Sequence, residues 1–276
     1  MRPVACPAIT GCTVACSQRH LISRQRAATI AFLPLSLPGY LTKQESIAVL
    51  GVDDLLIRSL LDKNQFHDPF DEALHLGISS ATWPLFGLLW PSGTRMAERM
   101  ALRPVTGERI LEIGCGLALP SLVAHRRGAH VTASDCHPLS HAFLDHNTQL
   151  NGLTPITYRH GLWGAAARRE DGQAVLTQAT DANVNGLFDL IVGSDILYER
   201  DDEGTLAHFI NQHAAAGAEI WIVDPNRSNR AAFHKHMALA GFRLHEEMLD
   251  QPAREGHAAY KGRMLTYSRH ATPSQL

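Results

Sequence analysis

Two glycines and two acidic residues, set at a particular spacing, suggest that this chain binds a nucleotide-like ligand. Glu112 lies near the end of a short apolar run, and Gly114 and Gly116 follow it. Asp135 closes the next apolar run. Glycines let a ligand approach the backbone closely, and an acid at this distance accepts hydrogen bonds from both hydroxyls of a ribose. The pattern predicts a nucleotide-binding βαβ unit.

The same residues indicate which nucleotide. A dinucleotide fold needs a small residue at the sixth position of G-x-G-x-x-G, where this chain has Leu119. The charge of Glu112 would repel a pyrophosphate, but it suits a cationic ligand with an ammonium and a sulfonium group. A NAD-dependent oxidoreductase is therefore disfavoured. The remaining alternative is a glycine turn between core elements that binds no ligand.

The elements that position these residues follow from hydrophobic runs and turn residues. Residues 109–113 are predicted to be a buried strand, and residues 117–127 a helix that Gly128 ends. Residues 130–134 are predicted to be a second strand, directly before Asp135.

Further helices are predicted on both sides of this unit. Ser92 is expected to cap a helix that extends to residue 102, and Pro138 to be the first helical residue after Asp135. Ser228 is expected to cap a helix that extends to residue 240. Residues 47–61 mix helical and strand-like spacing, so their class stays open.

The later strands alternate with these helices at first. Strands are predicted at residues 156–160, 188–198, 219–223, 242–247 and 264–268. The last two strands are separated by a polar loop without a helix, so they must be antiparallel. Residues 165–186 are polar and predicted to be a loop.

Composition limits the classes of function. The chain has 276 residues, of which 45% are hydrophobic and 19% charged, as in a soluble globular protein. A net charge of −2 gives no reason to expect a nucleic-acid partner. No segment reaches the roughly 18 apolar residues expected of a membrane helix.

The N-terminal residues 1–42 are predicted to be a poorly ordered extension, although an apolar run faintly suggests a targeting segment. They contain Cys6, Cys12, Cys16 and His20, whose spacing fits no common zinc pattern, so free thiols are favoured over a metal site. The cysteine usage as a whole indicates a reducing, cytoplasmic location.

Five motifs carry a resemblance to a known family. They are LLWPSG, LEIGCGLALPSL, GAHVTASD, LWG and GSDILY, within residues 75–268. Together they resemble the lysine-methyltransferase branch of the seven-strand S-adenosylmethionine (SAM) methyltransferases, called methyltransferase family 16, whose bacterial members include nicotinamide-N-methyltransferase-like proteins. The resemblance implies an α/β fold with a Rossmann-like seven-stranded methyltransferase sheet, mostly parallel with the last strand antiparallel, and helices on both faces.

The resemblance also implies roles for individual residues. The expected cofactor is SAM, and the residues expected to bind it are Trp90, Glu112, Gly114, Cys115, Gly116, Asp135, Trp163 and Ser194. Asp195 and Tyr198 match the family's acidic-x-x-aromatic motif and are the predicted catalytic residues. No metal is expected. The domain organisation is then an extension at 1–42, a lead-in segment with the first core helix at 43–107, the methyltransferase core at 108–270 and a tail at 271–276.

The chemistry of methyl transfer supports these two catalytic candidates. A carboxylate beside the entering nitrogen orients an amine, and an aromatic face favours a cation. Enzymes that methylate planar amines use DPPY or NPPY here, whereas this chain has Asp195-Ile196-Leu197-Tyr198, so a nucleobase is disfavoured. The alternative is structural: the acid caps a loop and the tyrosine fills the core.

The prediction is a SAM-dependent N-methyltransferase whose acceptor is a protein lysine. A small amine or a pyridine-type nitrogen is the alternative acceptor, and a non-catalytic SAM-binding scaffold is the alternative from another class. The expected partner is a protein with an accessible lysine, or a small amine, with no nucleic acid and no membrane.

Overall fold

The computed structural model describes residues 39–161, 163, 183–253 and 259–269, and the fold is reported for these. The predicted extension up to residue 38, with Cys6, Cys12, Cys16 and His20, lies outside the described residues. So do residues 165–182 of the predicted polar loop and the predicted tail at 271–276.

Strands and helices alternate through most of the described chain. The strands are β1 (Thr42–Ile47), β2 (Leu55–Leu60), β3 (Arg109–Ile113), β4 (His130–Asp135), β5 (Thr157–His160), β6 (Phe188–Ser194), β7 (Ala214–Asp224), β8 (Arg243–Gln251) and β9 (Tyr260–Ser268). The α-helices are α1 (Glu72–His75), α2 (Pro91–Leu102), α3 (Leu119–Arg126), α4 (Ser140–Leu150), α5 (Thr205–His213) and α6 (Arg230–Leu239). A 3₁₀ helix spans Trp83–Gly87.

The central sheet has seven strands in the order β5-β4-β3-β6-β7-β9-β8. The first five are mutually parallel, and β9 runs antiparallel to both of its neighbours. This confirms the predicted seven-stranded sheet with an antiparallel strand. The chain adds strands to one side of β3 and then, with β6, to the other side, and ligands bind at such a switch point in open α/β sheets.

Apolar side chains on the two faces of the sheet belong to two separate core clusters. Ile110 packs in the cluster that includes Met96 of α2 and Phe143 of α4. The next residue, Leu111, packs in the cluster that includes Ile210 of α5. Because successive side chains of a strand point to opposite faces, helices cover both faces of the sheet, as predicted.

Four predicted helix starts were wrong, and one of them is that of α3, which begins at Leu119, two residues after the predicted start. Helix α2 begins at Pro91 with Trp90 as the preceding cap residue, and the hydroxyl of Ser92 is instead buried 3.0 Å from Tyr260 Oη. Helix α6 begins after Asn229, so Ser228 does not cap it. Helix α4 begins at Ser140, two residues after Pro138. At Ser92, a contact with a residue distant in sequence overrides the local preference for a cap.

The first part of the lead-in forms a two-stranded antiparallel hairpin of β1 and β2. The stretch at residues 47–61, whose class the sequence leaves open, therefore contains a strand. The outer edge of β2 is paired with two asparagines one turn apart, one on α4 and the other directly after its last residue. Asn147 accepts the Arg58 N–H at 2.8 Å and donates to its carbonyl, and Asn151 does the same with Leu56. The two side chains therefore satisfy the edge of β2 as a neighbouring strand would.

The described residues contain neither a helix that could span a membrane nor a group of side chains that could hold a metal. None of their helices is long and apolar enough to cross a bilayer. No His, Cys, Asp and Glu side chains among them are grouped so that they could hold a metal ion. Their cysteines, Cys115 and Cys136, are free thiols.

We predict that Asn147→Ala loosens the hairpin from the core. Asn147 is fully buried, and its replacement by alanine leaves the N–H and the carbonyl of Arg58 without partners. The loss of both hydrogen bonds costs about 2–4 kcal/mol of unfolding free energy. Chemical denaturation measures this loss. Gln149→Ala, at an exposed position of the same helix, is the control, and equal losses in both variants would contradict the assigned role.

Candidate functional site

The site lies where the parallel strands end. Strand β3 ends at Ile113, β4 at Asp135 and β6 at Ser194, and all three point the same way, so the residues that follow them meet at one edge of the sheet. This edge is at the switch point between β3 and β6. The topology therefore brings together motifs that are far apart in the sequence.

The turn after β3 requires its glycines for two reasons. Gly114 and Gly116 have φ values of 60° and 50°, in the left-handed region that favours glycine. A Cβ atom on Gly116 would lie 2.8 Å from the carbonyl oxygen of Phe86. The turn thus fits closely against the 3₁₀ helix, and the chain itself supplies a structural reason for the glycine motif, independent of any ligand.

Asp135 ties this turn to the end of β4. Its buried carboxylate accepts the Gly116 N–H through Oδ2 at 2.8 Å and the His137 N–H through Oδ1 at 2.9 Å. Burial raises the pKa of Asp135, and these backbone N–H groups oppose the rise. The carboxylate has a structural role that the sequence did not predict, while its contact with a ribose remains a prediction.

Glu112 connects β3 to the first turn of α3. Its Oε2 atom accepts hydrogen bonds from the backbone N–H of Ser121, at 2.9 Å, and from the Ser121 hydroxyl. Burial raises the pKa of Glu112 to about 8, and the nearby charge of Asp135 adds to the rise. A cationic group beside this carboxyl would favour its ionised form, which is the interaction predicted for the ligand.

Asp195 follows β6 in a strained backbone conformation. Its φ of 57° is uncommon for a residue other than glycine, and its N–H donates to Val223 O at 2.8 Å. The nearly buried carboxylate accepts a hydrogen bond at Oδ1 from Nε of Arg227 at 2.8 Å, and Nη2 of the same guanidinium lies 2.8 Å from Oδ1 in an ion pair. Arg227 is held in turn by its own N–H, which donates to Asp224 Oδ1 at 2.7 Å.

The aromatic candidates form parts of the surrounding wall. Trp90 donates from Nε1 to Leu85 O at 2.9 Å, which fixes its ring between the 3₁₀ helix and α2. Trp163 is half-buried with its ring 5.4 Å from that of Phe209, and Tyr198 is 48% exposed. The exposure of Tyr198 argues against the alternative in which this residue fills the core.

All of these groups line one cavity of about 640 Å³. Every residue predicted for the site is part of its lining: Trp90, Glu112, Gly114, Cys115, Gly116, Asp135, Trp163, Ser194, Asp195 and Tyr198. The volume is in the range of small-molecule sites. The lining combines apolar walls with several carboxylates, which suits an adenosyl ligand with a cationic sulfonium and is unfavourable for a pyrophosphate.

Phe86, His137 and Arg227 also line the cavity and were not among the residues predicted from the sequence. The position of Arg227, shortly after β7, could have signalled its role because β7 ends at the same edge of the sheet. His137 lies two residues after Asp135, and this proximity is the signal in the sequence that could have indicated it. Phe86 precedes the first recognised motif, and its stacking against His137 has no signal in the sequence.

Comparison with known proteins gives a consistent set of relatives, although no protein-family model matches the chain. The electron transfer flavoprotein beta subunit lysine methyltransferase of Mus musculus is 27% identical over 170 residues, which are 59% of this chain and 60% of that protein. The histone-arginine methyltransferase METTL23 of Rattus norvegicus is 31% identical over 119 residues, 41% of this chain and 47% of that protein.

A third relative is matched over more of its length. The protein N-lysine methyltransferase METTL21A of Danio rerio is 24% identical over 179 residues, 63% of this chain and 77% of that protein. The match thus spans less than two thirds of the first two relatives. A solved methyltransferase from Pyrococcus furiosus is 16% identical, with a TM-score of 0.47 over 65% of this chain and 83% of that chain.

The raised pKa of Glu112 predicts how stability depends on pH. The folded protein retains a proton that the unfolded chain releases between pH 4.5 and about 8. The stability that Glu112 contributes is therefore full below this window and is lost as pH rises through it. Glu112→Gln keeps an acceptor for Ser121 and removes the titration, so its unfolding free energy should fall less across the window than that of the wild type.

Denaturant unfolding from about pH 5 to about pH 8 measures this difference. Glu72→Gln, which removes a carboxylate at an exposed position, should follow the wild type. Parallel curves for Glu112→Gln and the wild type would contradict the raised pKa.

Proposed function

We propose that this chain, a relative of the protein lysine methyltransferases among the seven-strand SAM methyltransferases, transfers a methyl group to an amine nitrogen, most simply that of a protein lysine. One observation carries the proposal. The residues expected to bind a SAM molecule and those expected to orient an amine line a single cavity at the switch point of the sheet.

The proposed cofactor is SAM, which supplies an electrophilic methyl group on a sulfonium. We assign the ribose hydroxyls to Asp135, whose carboxylate is already fixed by two backbone N–H groups. The methionine end of SAM would lie against the glycine turn. Glu112 lines the same cavity, so its carboxyl would be near the cationic groups of the ligand. Trp90 and Trp163 would supply apolar contact.

The acceptor amine must be neutral to act as a nucleophile. A lysine with a pKa of about 10.4 has only a few parts in ten thousand of its amine neutral at pH 7, so orientation of that fraction is what the protein can supply. Asp195 is suited to this role because the end of β6 holds its carboxylate at the cavity wall. Tyr198 presents an exposed aromatic ring on the same wall.

The contact between Asp195 and Arg227 favours a lysine over an arginine acceptor. A guanidinium is best recognised by two parallel hydrogen bonds, one to each oxygen of a carboxylate. Oδ1 of Asp195 is already engaged by Arg227, through a hydrogen bond from Nε and an ion-pair contact with Nη2. The other oxygen, Oδ2, can accept a single N–H from an amine. It cannot alone provide the two acceptors that a second guanidinium, that of an arginine substrate, would need.

The proposed partner is a protein that presents an accessible lysine. We also place the protein in the cytoplasm, because the cysteines that the structure describes are free and a reducing compartment keeps thiols in that state.

Radiolabelled SAM incubated with the purified protein and a cell lysate tests the proposal. We expect label in a discrete protein band and, after acid hydrolysis, in methylated lysine. Label found only in small molecules would replace the protein acceptor with a small amine, and label in methylarginine would overturn the argument from Arg227. No label in any fraction would favour a SAM-binding scaffold without catalysis.

Asp195→Asn should separate binding from chemistry. Asparagine tolerates the left-handed backbone and keeps the shape, while the charge is lost. Turnover should fall by about a hundredfold or more, whereas the affinity for S-adenosylhomocysteine should change little. Tyr198→Phe should lose less, because the aromatic face survives.

Asp202→Asn is the matched control. It removes a carboxylate whose partner is an exposed arginine, Arg200, a short distance along the same loop, and it should leave turnover unchanged. Full turnover in folded Asp195→Asn would remove Asp195 from the catalytic machinery. Unfolding of that variant would indicate a purely structural role.

A further inference from the structure

Arg227 brings a positive charge into a cavity whose other charged side chains are mostly acidic. In the described part of the chain, the carboxylate and guanidinium side chains that line the cavity are Glu112, Asp135, Asp195, Glu199, Arg200, Asp201 and Arg227. Arg200 is largely exposed and pairs with Asp202, which lies outside the lining. Arg227 instead pairs with Asp195, the carboxylate that we assign to the acceptor amine. This ion pair therefore sets the charge at the acceptor position.

The guanidinium of Arg227 is fixed beside Asp195. Nε donates to Oδ1 of Asp195 at 2.8 Å, and Nη2 lies 2.8 Å from the same oxygen. The backbone N–H of Arg227 donates to the buried carboxylate of Asp224 at 2.7 Å, so the main chain is held as well. The hydrogen bond to Asp195 raises the pKa of Arg227, and burial opposes the rise. The guanidinium therefore stays charged at every pH at which the protein is folded.

A carboxylate without such a partner would hold a lysine in an unreactive form. An opposite charge nearby favours the ammonium over the neutral amine and raises the pKa of the bound lysine. The ammonium has no lone pair and cannot accept a methyl group. The other carboxylates of the lining act in the same direction. The acidic cavity would thus bind lysine well but keep it protonated, unless a positive charge offsets the carboxylate.

Methyl transfer requires that one proton leave first. The lysine ammonium releases a proton to solvent, and the lone pair of the neutral nitrogen then forms a bond to the methyl carbon of SAM. The carbon–sulfur bond breaks, and its electron pair goes to sulfur. The products are S-adenosylhomocysteine and a methylammonium. Only part of the positive charge has reached the nitrogen in the transition state, so a nearby cation disfavours the ammonium more than the transition state.

We propose that Arg227 keeps the acceptor lysine in its neutral, nucleophilic form by offsetting the negative charge of Asp195. The inference rests on the proposed function, because it assumes a lysine beside Asp195. Arg227 acts through Asp195 and is a positioning residue, whereas Asp195 makes the contact with the amine. A neighbouring cation is a known means of activating a lysine as a nucleophile. The ion pair thus allows Asp195 to orient the amine without holding its proton.

The pH dependence of kcat and KM tests the proposal. The donor is radiolabelled SAM, and the acceptor is the protein that the wild type labels in a lysate, after purification. Arg227→Gln keeps an N–H donor for Asp195 and removes the charge. We expect kcat at pH 7 to fall about tenfold and its rise with pH to move upward by about one unit. KM for the acceptor should also fall, because the ammonium binds more tightly.

The wild type and two variants supply the controls. The kcat of the wild type should reach its plateau below about pH 10.4, the pKa of free lysine. Arg227→Lys keeps the positive charge and should keep the pH dependence of the wild type, even where its turnover is lower. Arg230→Gln removes a positive charge from α6, outside the cavity lining, where the guanidinium contacts Asn226. It should leave kcat, KM and their pH dependence unchanged.

Other titratable groups surround the ion pair. From β3, β4, β7, β9 and the segments after β4 and β6 they are Glu112, Asp135, Cys136, His137, Tyr198, Glu199, Asp201, Asp224 and Tyr260. Burial raises the pKa of Glu112 to about 8, within the tested range, but this group is present in every variant and cancels in the comparison. Burial lowers the pKa of His137 to about 3 and raises that of Tyr260 to about 12, so both stay neutral.

The outcomes separate the two proposals. Calorimetry with S-adenosylhomocysteine reports whether each variant retains a folded site, and Arg227→Met serves if Arg227→Gln does not fold. If the wild type labels no protein, the proposed function fails. If it labels one, but Arg227→Gln loses turnover equally at every pH or has a raised KM, Arg227 has only a structural role and the inference is overturned. Unchanged kcat and KM in Arg227→Gln would overturn it as well.

Discussion

The hydrogen bonds of the Asp135 carboxylate hold together the segments that form the cavity. By accepting N–H groups from Gly116 and His137, the carboxylate joins the turn after β3 to the segment after β4. The 3₁₀ helix then packs on both, because the carbonyl of Phe86 lies against Gly116 and its ring stacks on His137. The cavity wall is therefore built around one buried acid, and two further acids, Glu112 and Asp195, are fixed by partners of their own. Internal hydrogen bonds thus set the positions of these carboxylates before any ligand arrives.

Much of this arrangement could be predicted from the sequence. Hydrophobic runs and turn residues locate the strands of the sheet, and the carboxyl ends of parallel strands must meet at one edge. That geometry explains why Asp135 and Asp195, which are 60 positions apart in the numbering, line one cavity. The relatives found by comparison confirm the family resemblance that the motifs indicate.

Contacts between distant segments could not be predicted. The position of Arg227 after β7 indicates that it lies at the same edge of the sheet, but its ion pair with Asp195 depends on the adjacency of β6 and β7. The class of residues 47–61 stays open in the sequence, and in the structure the outer edge of β2 is satisfied by Asn147 of α4 and by Asn151 directly after it, not by another strand. Ser92 has the composition of a helix cap, yet its hydroxyl bonds with Tyr260 of β9. In each case a tertiary partner, invisible in the local sequence, decides the role of the side chain.

The central claim is that the cavity at the switch point binds an adenosyl ligand and presents its sulfur to an acceptor amine. A crystal structure of the protein with S-adenosylhomocysteine tests this most directly. We predict that the ribose hydroxyls lie within hydrogen-bond distance of Asp135 and that the sulfur faces the side of the cavity formed by Asp195 and Tyr198. A ligand bound elsewhere, or oriented with its sulfur away from Asp195, would contradict the account.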